Sequence, residues 1–182
     1  MDRELVVRAQ HGDRDAYEAL ARAAAPAMYR AAYRILRDAD FAQDAVQQAL
    51  VAIWRDLPRL REPEKFEAWS YRAVVRSASN VLRSERSSIR RLRVVLPDDA
   101  GGPDSTVSVA DREALEQAFR RLTPEHRAIV VLRHYVGLSL EEAADALKLP
   151  PGTARSRLHY ALRALRAAIE AGERTPSESR TA

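Results

Sequence analysis

The sequence predicts an all-α protein made of two small helical domains that are joined by a flexible linker. Alanine, leucine, arginine and glutamate are abundant and only 6 of the 182 residues are glycine, a composition that favours helix. No stretch shows the sustained alternation of apolar and polar residues that is typical of a strand. Turn-forming residues crowd a single internal stretch, which divides the chain into two helical blocks.

The dividing stretch is residues 97–108, in which prolines and glycines are mixed with charges that are all acidic. We therefore place the first domain at residues 1–93, an acidic flexible linker at 94–110 and the second domain at 111–171. Residues 172–182 are polar and are predicted to form a disordered tail.

In the first domain, helices are predicted over residues 13–25 and 27–37, with a break at Pro26 between them. The next helix covers about residues 41–57, and its inward side chains are Val46, Ala49, Leu50, Ile53 and Leu57. A long helix covers about residues 64–86, and its predicted inward face is Phe66, Trp69, Ala73, Ser77 and Val81.

In the second domain, a helix over residues 111–122 precedes another that Thr123 caps and that ends near Gly137. The pattern of residues 139–142 (SLEE) is a capping box that starts a short helix. Pro150 and Pro151 end that helix and start the last one. The pair is predicted to be a helix-turn-helix over residues 139–169.

The last helix carries four arginines and no acidic residue between Pro151 and Ile169, opposite a predicted core face of Ala154, Leu158, Leu162, Leu165 and Ile169. A helix of this kind can enter the major groove of DNA, where its first residues reach base edges and its arginines hold phosphates. An ordinary helical hairpin with a solvated basic face has the same pattern.

A second basic feature lies on the long helix of the first domain. Seven arginines and one glutamate occur between Trp69 and Arg93. Arginines beside aromatic rings suit single-stranded DNA, because phosphates meet guanidinium groups while bases stack on rings. The alternative is that the rings belong to the core and the arginines to the solvent. The helix over 41–57 also has a polar face that fits either a protein-docking surface or plain solvent exposure.

Other kinds of function have little support. The chain has no cysteine, which excludes disulfides, thiolate zinc sites and cysteine nucleophiles. Its four histidines have no carboxylate at a trustworthy ligand spacing, so we expect neither a metal site nor a cofactor. No motif suggests catalysis. No signal sequence or membrane span is evident, and we expect a cytoplasmic protein.

At this point the sequence resembles the extracytoplasmic-function (ECF) group of bacterial sigma factors, the type with regions 2 and 4 only. The resemblance covers about residues 10–170. It rests on the order of six strings, namely 12–17 (GDRDAY), 44–50 (DAVQQAL), 66–72 (FEAWSYR), 122–127 (LTPEHR), 137–144 (GLSLEEAA) and 152–158 (GTARSRL).

The resemblance implies a sigma factor that binds core RNA polymerase and directs promoter-specific initiation. Polymerase contacts with the β′ coiled coil are expected at Asp44, Gln47, Gln48 and Trp54, and the helix over 123–136 is expected to meet the β flap. The −10 element would be recognised and opened by Arg61, Lys65, Phe66, Trp69, Arg72, Arg76, Asn80 and Arg83. The −35 element would be read by Thr153, Arg155, Ser156, Arg157, His159 and Arg163. An anti-sigma factor is a further expected partner.

The sequence departs from the family where Gln43 and Gln48 replace usual glutamates and where Arg76 and Asn80 stand near a usual Asn and Asp. Two other interpretations stay open. One is a regulator that binds DNA without polymerase through the C-terminal helices alone. The other is a sigma mimic that sequesters an anti-sigma factor and need not keep DNA-reading side chains.

Overall fold

The computed structural model describes residues 1–88 and 109–174, and within these ranges all the regular elements are helical. The side chains of residues 83, 85–88, 109–113 and 171–174 are outside the description. The first unit contains α1 (Arg3–Gln10), α2 (Arg14–Leu36), α3 (Ala39–Asp56) and α4 (Phe66–Ser88). The second contains α5 (Val109–Arg121), α6 (Pro124–Val130), α7 (Leu140–Leu147) and α8 (Pro151–Arg174). The predicted all-α fold with a C-terminal helix-turn-helix is confirmed.

The domain boundaries expected from the sequence differ from the helix ends by a few residues. α5 begins at Val109, inside the stretch assigned to the linker, and α8 continues to Arg174, past the expected start of the tail at Gly172. Alanine, glutamate and arginine are good helix formers, and they extend both helices over these positions. The rest of the predicted linker and residues 175–182 lie outside the described residues.

The core of the first unit lies among α2, α3 and α4, and α1 packs against α2. Aspartate side chains cap the starts of α1, α2 and α3, as where Asp13 accepts from the backbone N–H of Ala16 at 3.0 Å. The inward set predicted for α3 is confirmed, with Ile53 and Leu57 fully buried. The largest fully buried side chains of this unit are Val6, Leu20, Met28, Ile35, Ile53, Leu57, Phe66, Val74 and Val75.

Two expectations for the first unit were wrong. α2 runs unbroken through Pro26, because this proline lies on the exposed side of the helix, where water can solvate the carbonyl that loses its partner. On α4, the predicted inward residues Phe66, Ser77 and Val81 are buried, but Trp69 and Ala73 are only partly buried. Their places in the core are taken by Ser70, Val74 and Ala78. The buried hydroxyl of Ser70 donates to the carbonyl of Glu67 at 2.7 Å and so has a partner.

In the second unit, Thr123 caps α6 as predicted, but the helix does not continue regularly to Gly137. A π-helical turn, Val131–Tyr135, follows it, and the Val136 N–H donates to the carbonyl of Val131 at 2.9 Å. Gly137 then adopts a left-handed φ of 81°, which suits glycine and ends the segment. Tyr135, at the end of this turn, is placed against the first unit.

The core face of α8 was predicted one position wrong near its middle. Ala161 is fully buried, whereas Leu162 is 40% exposed. The buried stripe follows Ala154, Ala161 and Leu165, with Leu158 partly buried between them, as the helical repeat requires. Among the described residues no helix is both long and apolar enough to cross a membrane.

Replacing Pro26 by alanine should raise the free energy of unfolding by about 1–3 kcal/mol, because the substitution restores a backbone hydrogen bond in the interior of α2. Chemical denaturation followed by circular dichroism measures the change. As a control, Ala19→Gly at another exposed position of α2 should lower the same quantity by about 1 kcal/mol. An unchanged or lowered stability of Pro26→Ala would contradict a continuous α2.

Candidate nucleic-acid interface

The helix-turn-helix is fixed by its first helix, whose start is the capping box predicted from the sequence. The hydroxyl of Ser139 accepts from the backbone N–H of Glu142 at 3.1 Å, and the carboxylate of Glu142 accepts from the N–H of Ser139 at 2.9 Å. α7 ends at Lys148, which has a left-handed φ of 53°, and the N–H of Leu149 donates to the carbonyl of Ala144 at 2.9 Å. These bonds set the turn that leads into α8.

The side chains assigned to the −35 element all lie on α8. Its buried face is turned to α5, α6 and α7. The exposed members are Thr153, Arg155, Ser156, His159 and Arg163, and Arg157 is half-buried. The hydroxyl of Ser156 donates to the carbonyl of Thr153 at 3.0 Å. The structure therefore presents a basic helix with exposed side chains along its N-terminal half, a geometry that can bind phosphates and reach base edges.

The basic stripe on α4 is in a different situation, because α7 of the second unit lies against it. The guanidinium of Arg72 forms an ion pair with the carboxylate of Glu142, and Nε of Arg76 donates to the carbonyl of Ala146 at 3.3 Å. Asn80 is exposed farther along the stripe, and the side chain of Arg83 is outside the described part. The stripe exists, but two of its cations already have partners within the chain.

The remaining residues assigned to the −10 element are divided between core and surface. Phe66 is only 1% exposed, so a direct contact with DNA is wrong for this residue, whose ring belongs to the core of the first unit. Trp69 is partly buried, with its ring centroid 6.2 Å from that of Phe66. Arg61 and Lys65 are exposed on the segment between α3 and α4, where Lys65 is paired with Glu62 at 2.6 Å.

The polar face of α3 is exposed at Asp44, Gln47 and Gln48. Trp54 is 38% exposed, and its ring centroid lies 4.7 Å from that of Tyr17. Sequence reasoning missed Val51, which is 70% exposed on the same helix. Val51 lies four residues after Gln47 and three before Trp54, a spacing that places all three on one face of a helix and could have identified it. The face therefore combines amides, a carboxylate and two apolar groups, which suits a protein partner.

The contacts between the two units were also missed. Arg37, at the end of α2, forms an ion pair with Glu116 of α5. The ring of Tyr135 meets the ring of Tyr71 edge-on at 6.3 Å between centroids, and the guanidinium of Arg34 lies 4.2 Å from the centre of the Tyr135 ring. No local sequence pattern predicts contacts between residues that are so far apart in the chain.

Arg127 in α6 is buried close to these contacts. Burial lowers the pKa of its guanidinium to about 10, and the positive charge of Arg37 acts in the same direction. Its Nε is buried without a hydrogen-bond partner. Across the described residues, no group of three or more histidines and carboxylates is placed to hold a metal ion.

Comparison with known proteins agrees with this division into two helical units. The family model of sigma-70 region 2 matches residues 20–88, and that of sigma-70 region 4 matches residues 118–167. These two matches cover more than half of the chain, one in each unit. The class defined by the fold is therefore a sigma-70 protein with regions 2 and 4.

The relatives narrow this class. The ECF RNA polymerase sigma factor SigL of Mycobacterium tuberculosis is 34% identical over 153 residues, which cover 80% of this chain and 84% of the relative. The RNA polymerase sigma-E factor of Streptomyces avermitilis is 35% identical over 164 residues, which cover 88% of each. The chain belongs to the ECF group of RNA polymerase sigma factors, and its function is to direct promoter-specific transcription initiation.

Solved structures show the same fold. The sigma factor RpoE of Bartonella quintana, in complex with the anti-sigma factor NepR, has a TM-score of 0.66 at 21% identity, over 85% of this chain and 96% of that one. CnrH, in complex with the cytosolic domain of CnrY, has a TM-score of 0.59 at 25% identity, over 93% and 97% of the two chains.

The contact between the units has a measurable signature in the titration of Glu142. The pKa of its carboxyl group lies below the ordinary value, first because the N–H of Ser139 donates to it and then because Arg72 lies beside it. We predict that Arg72→Gln raises this pKa, as followed by carbon-13 NMR of the carboxyl group. Since the pKa is lowered by folding, the stability it contributes is present at neutral pH and is lost as the pH falls through the lowered value.

Lys65→Gln serves as the control for this titration. Lys65 is the weakest of the causes that lower the pKa of Glu142, so its replacement should raise that pKa less than Arg72→Gln does. If Arg72→Gln left the titration of Glu142 unchanged, the two side chains would not be in contact in solution.

Proposed function

We propose that this sigma factor reads a promoter at two points, with α8 on the −35 element and with α4 and the preceding segment on the −10 element. The observation that carries the proposal is α8, which buries Ala154, Ala161 and Leu165 and leaves Arg155 near its start and Arg163 farther along exposed. Such a helix fits the major groove, with base contacts near its N-terminus and phosphate contacts beyond.

At the −10 end, Arg72, Arg76 and Asn80 would hold the opened strand, and Arg83 would extend the same row. Arg61 and Lys65 are exposed at the segment 57–65, which would capture a flipped base. Flipping a base costs a few kcal/mol, which stacking and pocket contacts must offset. Trp69 retains enough exposure at the edge of the core to provide such a surface.

Core polymerase is the proposed partner of α3. Asp44, Gln47 and Gln48 present polar groups at the centre of its exposed face, and Trp54 with Val51 supplies apolar area. The β′ coiled coil would dock here, and the segment over 123–136 would approach the β flap. The acidic residues between the units would pass through the polymerase toward the RNA exit channel.

Further parts of the proposal follow from the family. Residues 1–93 would act as region 2 and residues 111–171 as region 4, joined by the linker 94–110 and followed by the tail 172–182. An anti-sigma factor would hold the protein inactive; the sigma factor RpoE of Bartonella quintana forms a complex with the anti-sigma factor NepR. The polymerase would perform the chemistry, without a cofactor or metal from this chain. Because the polymerase acts in the cytoplasm, this chain would be a cytoplasmic protein.

The deciding experiment is transcription in vitro with core polymerase, this protein and a pool of genomic promoter fragments. We expect initiation from a defined subset with a shared −35 and −10 pattern. Arg155→Ala or Arg163→Ala should lower initiation from these promoters about tenfold, since each lost contact to DNA is worth about 1–3 kcal/mol. Binding of either variant to core polymerase should not change.

The matched control is Arg121→Ala, which removes the same charge from α5, away from the exposed face of α8. No initiation from any fragment by the unaltered protein would refute the proposed function. Loss of core binding in the α8 variants, or an equal defect in Arg121→Ala, would refute the role given to α8. Tight and specific duplex binding without polymerase would instead favour an independent regulator.

The docking face on α3 is tested by charge reversal. Asp44→Arg should weaken binding to core polymerase about tenfold or more, because a cation would replace the carboxylate at the centre of the face. Competition for a fluorescent sigma factor on core polymerase measures this. Asp40→Arg, one turn earlier on the same helix and also exposed, should retain binding; if both variants bound alike, the face would lie elsewhere.

A further inference from the structure

The segment between α3 and α4, residues 57–65, lies against α1. It contains two short 3₁₀ turns, Leu57–Arg59 and Pro63–Lys65, and α1 contacts both of them. Because Pro58 and Pro63 have no N–H, the segment lacks two of the donors that could otherwise pair with its carbonyl groups. Donors from another part of the chain can take their place.

Gln10, at the end of α1, supplies such donors. Its side-chain nitrogen Nε2 donates to the carbonyl of Leu57 at 3.1 Å and to that of Leu60 at 2.7 Å. An amide nitrogen carries two hydrogens, so one side chain can pair with both carbonyls at once. Because both partners are acceptors, they also fix which end of the amide faces the segment. The amide therefore ties both ends of the first turn to α1.

The end of α1 is itself fixed to the start of α2, which gives the amide a defined position. Val6 and Ala9 are buried in the core of the first unit. Gly12 has a left-handed φ of 89°, which lets the chain turn directly from α1 into α2. Across this turn, the guanidinium of Arg8 lies 2.6 Å from the carboxylate of Asp13. A donor on an anchored helix can restrain the segment that it contacts.

The turn that the amide holds carries both buried and exposed side chains. Leu57 is fully buried and Leu60 is partly buried, whereas Arg59 and Arg61 are exposed. The two leucines attach the segment to the core, and the hydrogen bonds from Gln10 set the path of the backbone between them. The exposed side chains therefore start from a backbone whose shape depends on α1.

We propose that Gln10 is a positioning residue for recognition of the −10 element. Its amide holds residues 57–60 in the shape that accepts a flipped base, and it does so without touching DNA. Through this side chain, α1 takes part in promoter specificity. The inference rests on the proposed function, in which the segment 57–65 captures a base of the opened strand.

The test is transcription in vitro by core polymerase saturated with this protein. The templates are one promoter that the parent protein uses and copies in which each base of the −10 and −35 elements is replaced in turn. The measured quantity is the ratio of initiation between the original base and each replacement.

Gln10→Met keeps the length of the side chain and removes its donors. In this variant the ratio should fall about three- to tenfold at one or two −10 positions, as expected for losing two neutral hydrogen bonds. The ratios at −35 should not change. A general loss of folded protein would lower initiation from all templates alike and would leave every ratio unchanged.

Two further variants separate the hydrogen bonds from side-chain shape and from the replacement itself. Gln10→Glu keeps the shape of the amide but presents a carboxylate to the two carbonyls, so its ratios should fall at the same positions at least as far as in Gln10→Met. Gln117→Met makes the same replacement at an exposed position of α5 and should keep the parent ratios. Parent-like ratios in either Gln10 variant, an equal change in Gln117→Met, or a fall at −10 and −35 alike would each overturn the proposal.

The hold of Gln10 on the segment can also be measured without DNA. The N–H of Leu60 donates to the carbonyl of Leu57 at 3.1 Å, so its exchange with deuterium, followed by NMR, reports opening of the turn. This exchange should be about three- to tenfold faster in Gln10→Met and unchanged in Gln117→Met. An unchanged rate in Gln10→Met would overturn the positioning role.

These outcomes are distinct from failure of the proposed function. If the parent protein initiates with a clear base preference at −10 and the Gln10 variants keep that preference, only the role of Gln10 is refuted. If the parent protein initiates from no promoter, the promoter-reading role itself is refuted, whatever the exchange rate of Leu60.

Discussion

Arginine side chains that are taken partly out of water need an anionic partner, and Glu142 supplies it for Arg72 in this chain. The position of the second unit depends on this requirement, because the carboxylate is carried by the first helix of the helix-turn-helix. The same glutamate also caps its own helix through Ser139. A single side chain therefore takes part both in the start of α7 and in its contact with α4.

The magnitudes of the individual interactions at Arg72 and Tyr135 are small. A partly exposed ion pair contributes about 0.2–1 kcal/mol, and the aromatic contact between Tyr71 and Tyr135 adds about 0.5–1.5 kcal/mol. Against these gains, a buried guanidinium nitrogen without a partner costs about 1–3 kcal/mol, and Arg72 contributes one such nitrogen. For these groups alone the gains and the cost are of similar size, so the ion pair at Arg72 contributes little net free energy to the contact between the units.

Much of the fold could be predicted because local rules decide it. The capping box at Ser139, the cap at Thr123 and the inward stripe of α3 depend only on residues within one or two turns. The errors arose where local rules compete. Leu162 and Trp69 are strongly apolar but lie one position from the buried stripe, so the helical repeat overrides their hydrophobicity. Pro26 is tolerated inside α2 because it lies on the exposed side, while buried residues before and after it in the sequence hold the helix in place.

The candidate site shows the same division between local and distant information. The residues of α8 could be identified because an uninterrupted basic face is visible in the sequence alone. The state of Arg72 could not be identified, because its partner lies 70 residues away in sequence. Nor does any local pattern reveal that the π-helical turn ends at Tyr135 with its ring against the first unit. The spacing of basic residues along one helix predicts a candidate surface. Only the folded structure shows which other residues contact that surface.

The unequal exposure of the two candidate DNA surfaces bears on how the proposed contacts would form. The α8 side chains Arg155 and Arg163 are exposed, so their contacts with duplex phosphates would require no rearrangement. On α4, a phosphate that took the place of Glu142 on Arg72 would replace one anion by another on the same guanidinium. That exchange would gain little electrostatic free energy by itself. In the proposed function, binding at −10 would therefore have to draw on stacking and on the base pocket.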